Sequence, residues 1–393
     1  MDPDAPITFN GYSPSGQVTG EMVYANYGTI EDFLYLRNIN VSVHKRIVLV
    51  RYGGIYRGDK VANAYANGAA GCLIYSDPIT YAPKGTDPMD VYPFTKYLPD
   101  QGVQRGSIFE GFGDPLTPGW PSPDAGQPGE RIDPSDSRSL LPHIPTQPIS
   151  YGDALPLLSV LGGAHAPKEW QGGLPITYKI GPSAVQVELS VQSDNKVATI
   201  HNVCASIAGS EQPDRIILLG NHRDAWVFGA ADPNSGTAAL LEIARSFGIL
   251  KQRGWTPRRT IMMCSWDAEE AGTIGSTEWV ERNRDLLNAQ LVAYLNVDIA
   301  VSGEALYVGA MPSLDDAIRA AAKVVPAPSD NASSLYDLWV EQSRGHEPSI
   351  GRLGGCGSDF CSFVCHLGVP SVDMTFSGPG SDGYPMYHRC GIR

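Results

Sequence analysis

The stretch Arg215-Ile-Ile-Leu-Leu-Gly-Asn-His-Arg-Asp224 decides how this chain is read. It opens as a short apolar run suited to a buried sheet strand and breaks off into a histidine and a carboxylate. The pattern returns twice. Thr260-Ile-Met-Met-Cys-Ser265 runs into Trp266-Asp-Ala-Glu-Glu270, and Leu291-Val-Ala-Tyr-Leu-Asn296 runs into Val297-Asp298. Between the first two runs, Leu240, Leu241, Ala244 and Phe247 recur at helical spacing and predict the apolar face of a helix. A further helix is expected from Ser313 as N-cap, with Asp316 three residues on and Leu314, Ala317, Ile318 and Ala321 behind it. Strands alternating with helices predict an α/β fold, an open sheet with helices on both faces.

The residues just past the strands carry the chemistry. Ligands of open α/β sheets collect beyond the carboxyl ends of the strands. Here three such ends deliver His222, Asp224, Glu269, Glu270 and Asp298 to one edge, and Asp232 stands just before the helix in Ala231-Asp-Pro-Asn-Ser-Gly236. That many carboxylates cannot all stay ionised in a partly desolvated site without a cation. Mixed imidazole and carboxylate donors suit zinc, and a shared carboxylate between two ions makes the clamp of two-metal sites, with the ions ~3.5–4 Å apart. Taken singly these signals are weak. One His-x-Asp or one Glu-Glu pair is usually a solvated loop, Asp298 alone could cap a helix, and His388 alone could be a surface histidine. Their joint placement at successive strand ends is what argues for a site.

The rest of the chain sets bounds. At 393 residues there is room for two domains, and 42% hydrophobic with 18% charged residues is an ordinary globular composition. A formal net charge of -13 argues against nucleic acid or an anionic membrane as partner. Arg46 to Arg51 and Gly71 to Tyr75 read as strands around a helix from Asp59 to Asn67, a small βαβ unit. Residues from about 80 to 150 are rich in Pro, Gly and Asp and predict an irregular excursion. Val185 to Val191 alternates as a half-exposed strand. Seven scattered cysteines suggest no disulfide framework. Cys356, Cys361 and Cys365, beside His366, lack the spacing of a zinc knuckle and read as small buried hydrophobes. Asn40-Val-Ser and Asn331-Ala-Ser are glycosylation triplets compatible with a secretory route. No signal peptide is evident, and no apolar run approaches the ~18 residues of a membrane helix. The absence of G-x-S-x-G and G-x-G-x-x-G sets aside a serine-hydrolase elbow and a dinucleotide fold.

At the site residues the chain resembles the glutamate carboxypeptidase II branch of the M28 zinc peptidases. The likeness rests on His222-Arg-Asp-Ala-Trp-Val-Phe-Gly229, Asp232-Pro-Asn-Ser-Gly236, Ser265-Trp-Asp-Ala-Glu-Glu270, Gly275-Ser-Thr-Glu-Trp279, Asn296-Val-Asp298 and Tyr384-Pro-Met-Tyr-His388. It continues through Arg51-Tyr-Gly53, Arg57-Gly-Asp-Lys60 and Gly113-Asp-Pro-Leu-Thr-Pro-Gly119. The resemblance implies a β-rich protease-associated (PA) domain over residues 1–195 and an incomplete peptidase domain over 196–393. It implies two zinc ions bridged by Asp232, one held by His222 and Asp298, the other by Glu270 and His388. Glu269 would take a proton from the attacking water, Tyr387 would stabilise the oxyanion, and Asp224 would orient His222. A structural calcium ion would be held by Thr117, Glu278, Glu281 and the Trp120 carbonyl.

The departures from that family are equally specific. Where its glutamate-preferring members carry an Arg-Ala-Arg grip, this chain has Asp373-Met-Thr375, and Ser358 stands for an asparagine, although Arg57 is kept. Small peptides remain the implied substrates, cleaved in carboxypeptidase fashion, with weakened preference for glutamate. Family members are membrane-anchored homodimers with a lumenal or extracellular catalytic domain. This chain is expected to be a version shortened at both ends, without anchor or dimerisation domain, and inactive or nearly so. His388 is expected to sit on a fraying segment. An inert scaffold like the transferrin receptor is the alternative.

Overall fold

The computed structural model describes residues 7–124, 127–328, 333–378 and 386–389. Asn331 of the second glycosylation triplet and the Tyr384-Pro pair lie outside them; Asn40 is exposed.

The first half is built on four parallel strands, β1 (Met22–Tyr24), β2 (Ile47–Arg51), β3 (Gly71–Tyr75) and β4 (Thr146–Ile149), in that spatial order. The predicted βαβ unit is present, its helix α1 spanning Arg57–Ala66. Strands β2 and β3 are buried along their whole length, as continuous apolar runs covered on both faces require. This half is therefore mixed α/β rather than simply β-rich. Val187–Val191 forms the predicted strand, antiparallel to Gly16–Gly20. Between Ala82 and Pro145 the described chain has a single two-residue strand, Gly106–Ser107, in keeping with the irregular excursion.

The second half holds a seven-stranded sheet. In chain order its strands are β5 (Val203–Ile207), β6 (Gln212–His222), β7 (Arg259–Trp266), β8 (Leu291–Asn296), β9 (Ala305–Ala310), β10 (Gly351–Arg352) and β11 (Ser371–Ser377). In space they run β10-β9-β11-β8-β6-β7-β5. The central four are parallel, while β5 and β9 pair antiparallel. The chain leaves β6 for its neighbour on one side and then returns to its neighbour on the other, so the sheet reverses order at β6.

Helices cover both faces. Helices α2 (Ile274–Arg282), α3 (Arg284–Gln290) and α4 (Phe360–Cys365) enclose a core of Ile216, Leu218, Trp266, Tyr294 and Phe363. Tyr294 stacks on Phe363 at 3.9 Å between centroids. On the other face α5 (Asp315–Val324) and α6 (Leu335–Gln342) pack with Leu306, Val308 and Val372. A 3-10 turn, Pro312–Leu314, precedes the first of these, so Ser313 lies inside that turn and does not cap the helix as expected.

Two other expectations fail. The helix Asn234–Gln252 exists, but Leu241 on its predicted apolar face is 65% exposed and Gly236 is its only buried residue, because no described element covers that side. The cysteines are not all small buried hydrophobes: Cys204 and Cys264 are disulfide-bonded across β5 and β7, as are Cys356 and Cys361, and Cys365 is exposed. Cross-strand register places Cys204 opposite Cys264, and spacing along the chain cannot show that. No described helix is long and apolar enough to cross a membrane.

Replacing Phe363 with alanine removes the stacked partner of Tyr294, and we expect a loss of ~3–5 kcal/mol. Urea unfolding monitored by near-ultraviolet circular dichroism measures it; a loss below ~1 kcal/mol would mean that the core collapses around the missing ring.

Candidate metal centre

The switch strand β6 ends on His222, which is fully buried. Beyond the next strand end, Ala268 takes a left-handed backbone (φ 56°) and turns Glu269 and Glu270 back toward the sheet. A non-glycine residue in that region costs of order 1–3 kcal/mol, so surrounding contacts must hold it. Asp224 does so: its carboxylate oxygens accept from the backbone N–H of Glu269 (2.9 Å) and of Glu270 (3.1 Å). The His222 Nδ1 lies 3.0 Å from the Asp224 carbonyl oxygen.

Past β8, the backbone that carries Asp298 is held by a residue not singled out from the sequence. Asn221 Nδ2 donates to the carbonyls of Val297 (2.9 Å) and Asp298 (3.2 Å), and Thr237 Oγ1 donates to Asn221 Oδ1 at 2.7 Å. Its position immediately before His222 was the only signal. Gly236 makes this approach possible, since a β-carbon there would stand 2.2 Å from the Asp298 carbonyl oxygen.

Two donor triads result, His222–Asp232–Asp298 and Asp232–Glu270–His388, sharing Asp232. His222 Nε2 is 3.0 Å from Asp298 Oδ1 and 3.4 Å from Asp232 Oδ1. His388 Nε2 is 3.2 Å from Asp232 Oδ2 and 3.1 Å from Glu270 Oε2. Among the described residues, Asp232 Oδ1, Glu270 Oε1 and His388 Nε2 are buried without a hydrogen-bond partner. Close, inward-facing donors that make no hydrogen bond suit a cation lying among them. Glu269 stands beside both triads without joining either, its Oε2 3.9 Å from His222 Nε2.

The first half of the chain holds the last of these donors. His388 Nδ1 lies 3.1 Å from the Arg105 carbonyl oxygen, and the Arg105 N–H donates to the His388 carbonyl at 3.3 Å. Met386 belongs to the core around β1 to β4, and the Arg389 guanidinium lies 4.6 Å over the ring of Tyr81 and donates to Ser76. His388 is 5% exposed, so the expected fraying is not what the structure shows. Tyr387 stacks on the His388 ring at 3.6 Å, with the Arg57 guanidinium 5.9 Å from the tyrosine ring. Ser358 is buried, and its hydroxyl accepts from Asn296 Nδ2 (3.0 Å), which also donates to Asp373 Oδ1 (2.9 Å).

Of the residues that the resemblance gives to calcium, Glu278 and Thr117 share Ser122 as a partner. Glu278 accepts from the backbone N–H groups of Asp114 and Ser122, and Thr117 Oγ1 lies 3.0 Å from Ser122 Oγ. Among the described residues Glu281 Oε2 is buried with no hydrogen-bond partner, and burial pushes its carboxyl up to about 8. The Trp120 indole donates to the Glu130 carbonyl.

Burial raises Glu269 well above the ordinary carboxyl value and raises Glu270 as well. Asp359, also buried, is pushed up to about 7. Burial works against protonation of His222 and His388, but the carboxylates around them outweigh it and raise both. Burial likewise opposes ionisation of Asp232, yet the two histidines hold it below the ordinary range.

Comparison with known proteins places these features. Residues 202–390 match the model of peptidase family M28, and residues 18–109 match the PA domain. "Probable glutamate carboxypeptidase LAMP1" of Arabidopsis thaliana is 47% identical over 386 residues, covering 97% of this chain and 53% of that protein. "Aminopeptidase NAALADL1" of Mus musculus is 42% identical over 401 residues, covering 97% and 53%. The chain thus spans about half the length of the curated relatives it matches. Among solved structures, a zinc aminopeptidase from Bacillus subtilis aligns at TM-score 0.50 and 17% identity, over 96% of this chain and 69% of that one. A peptidase M28 precursor from Shewanella amazonensis aligns at 0.50 and 18%, over 98% and 70%. These two likenesses concern the fold.

In the metal-free protein, Glu269, Glu270, Asp359, His222 and His388 all bind protons more tightly folded than unfolded. Their contribution is fully present below the unfolded pKa values, 4.5 for Glu and 6.5 for His, and is lost as pH rises through the folded ones. Asp232 has the opposite sign, but its window lies below its ordinary 3.8. The melting temperature of chelator-treated protein should therefore fall between about pH 5 and pH 8, and added zinc should raise it most at the upper end. A melting temperature that rises across this range without metal would contradict the assignment.

Proposed function

The chain belongs to peptidase family M28, and from that premise we propose that it is a zinc-dependent peptidase with two ions sharing Asp232. His222 and Asp298 would complete one ion's protein ligands, Glu270 and His388 the other's. The observation that carries this reading is the meeting of two triads at one carboxylate. Zinc contributes Lewis acidity, polarising a carbonyl and making water a usable nucleophile near neutral pH.

The chain's own residues then divide the work. Glu269 is the general base: it is buried, adjacent in sequence to a ligand, absent from both triads, and free to hold a proton. Asp224 fixes the turn that aims it. Tyr387, stacked on His388 and next to Arg57, is the donor for the oxyanion. Arg57 binds the substrate carboxylate, and Ser358, which accepts from Asn296, is a second substrate-binding residue.

Substrates are small peptides cleaved in carboxypeptidase fashion, a reading supported by the names of the plant relatives, although one mammalian relative is named an aminopeptidase. The partnerless Glu281 oxygen supports a structural calcium ion with Thr117, Glu278 and the Trp120 carbonyl. Residues 1–195 form the PA domain with its excursion, and 196–393 the peptidase domain. The inert-scaffold alternative is less well supported, because every expected donor is brought into one of the two triads.

In a full-length version of the protein, Glu269→Gln should keep zinc, counted by native mass spectrometry, and lower turnover at least ~100-fold; turnover within a few-fold of wild type would sink the assignment. Across a peptide library, C-terminal glutamate should not be strongly preferred over neutral residues, because Asp373 and Thr375 offer no guanidinium. Dominant release of glutamate would contradict that.

A further inference from the structure

Three sulfur atoms converge at the loop preceding α4, outside the two donor triads. Cys356 and Cys361 are disulfide-bonded, and Cys365 carries a free, exposed thiol. The Cys365 Sγ lies 3.9 Å from that of Cys356, and all three sulfur atoms fall within 4.8 Å of one another. Cys361 and Cys365 are one helical turn apart in α4 and so share a face, while Cys356 reaches both from the loop. That loop carries two buried residues in contact with the metal centre's surroundings. Ser358 accepts from Asn296, and Asp359 Oδ1 accepts from Ser276 Oγ at 2.6 Å.

We propose that Cys356, Cys361 and Cys365 form a thiol–disulfide exchange centre, in which Cys361 and Cys365 compete for Cys356 and so set how the Ser358–Asp359 loop is covalently closed. The Cys365 thiolate attacks the sulfur of Cys356. The Cys356–Cys365 bond forms as the Cys356–Cys361 bond breaks, and the electron pair leaves with the Cys361 sulfur, which takes up the proton that Cys365 released. Electrons balance within the three residues, so the exchange needs no oxidant. Closing the present separation to a bond of ~2 Å asks for a sulfur displacement of ~2 Å, within the reach of side-chain rotation. Cys356 is the sulfur attacked because it is exposed, while Cys361 is buried beneath the helix turn. In the second pairing Cys361 becomes a buried thiol, and the loop is tied to the last residue of α4 instead of its first turn.

The test uses the full chain as wild type, C361S and C365S, none of which alters a proposed zinc ligand or general base. Wild-type protein purified without reductant is incubated at neutral pH, quenched in acid, unfolded, labelled with N-ethylmaleimide in acidic urea and mapped by mass spectrometry. Among Cys356, Cys361 and Cys365, label should divide between Cys365 and Cys361, with at least about a tenth on Cys361, while the free Cys72 labels in every sample. C361S treated with oxidised glutathione, which supplies the oxidation, should close Cys356–Cys365 in most molecules. C365S should take no label in the loop and keep a native circular dichroism spectrum. Wild-type label that, among these three cysteines, falls on Cys365 alone overturns the exchange, and so does a natively folded C361S that keeps Cys356 and Cys365 free.

Discussion

A single carboxylate between two buried imidazoles is the constraint on which the rest of this architecture turns. Asp232 stands 3.4 Å from one histidine nitrogen and 3.2 Å from another, with further carboxylates behind each. Removed from water, such an assembly is tolerable only if positive charge lies within it. Protons on the histidines and on Glu269 supply some of it in the bare protein. Divalent ions would supply it more completely and would leave Glu269, the proposed general base, free to ionise. The same physics that makes the bare cluster costly is what favours the proposal that it holds metal.

The sheet exists, in this sense, to bring those groups together. Reversal of strand order at β6 opens a crevice at its carboxyl end, with a donor-bearing loop on either side. From that crevice a relay of buried polar groups runs into the core. The Trp266 indole donates to the Tyr294 hydroxyl, that hydroxyl donates to Asn296, and Asn296 donates in turn to Ser358 and Asp373. Each member satisfies the next, so packing of the aromatic core and placement of the crevice walls are one problem. Phe363 and Trp266 are therefore tied to the crevice although neither reaches it.

How far this was legible in the sequence depends on the range of the interactions. Strands such as Leu291–Asn296 were readable because an uninterrupted apolar run needs no partner to declare itself. His222, Glu270 and Asp298 were readable because each follows such a run, whereas Asp232, just before a helix, and His388 were carried by the family motifs. Pairings between distant segments were not. Cys204 meets Cys264 only through the antiparallel register of β5 on β7, and His388 meets Arg105 only through the seating of one half of the chain on the other. The solvent-facing Leu241 misled for the opposite reason, since periodicity predicts an apolar face but not whether anything lies against it.

The double attachment of His388 to the Arg105 backbone, through its carbonyl and its ring, has a consequence for biosynthesis. Of the donor residues, His388 is the last to leave the ribosome, and its anchor was made long before. The intervening chain forms one large loop whose closure entropy grows only with the logarithm of its length, so the late arrival costs little. It does set an order of events. The four earlier donors can gather as the sheet assembles, yet the second triad stays incomplete until residues 386–389 dock on the folded first half. A nascent chain paused anywhere before that point would carry only one of the two donor triads in full.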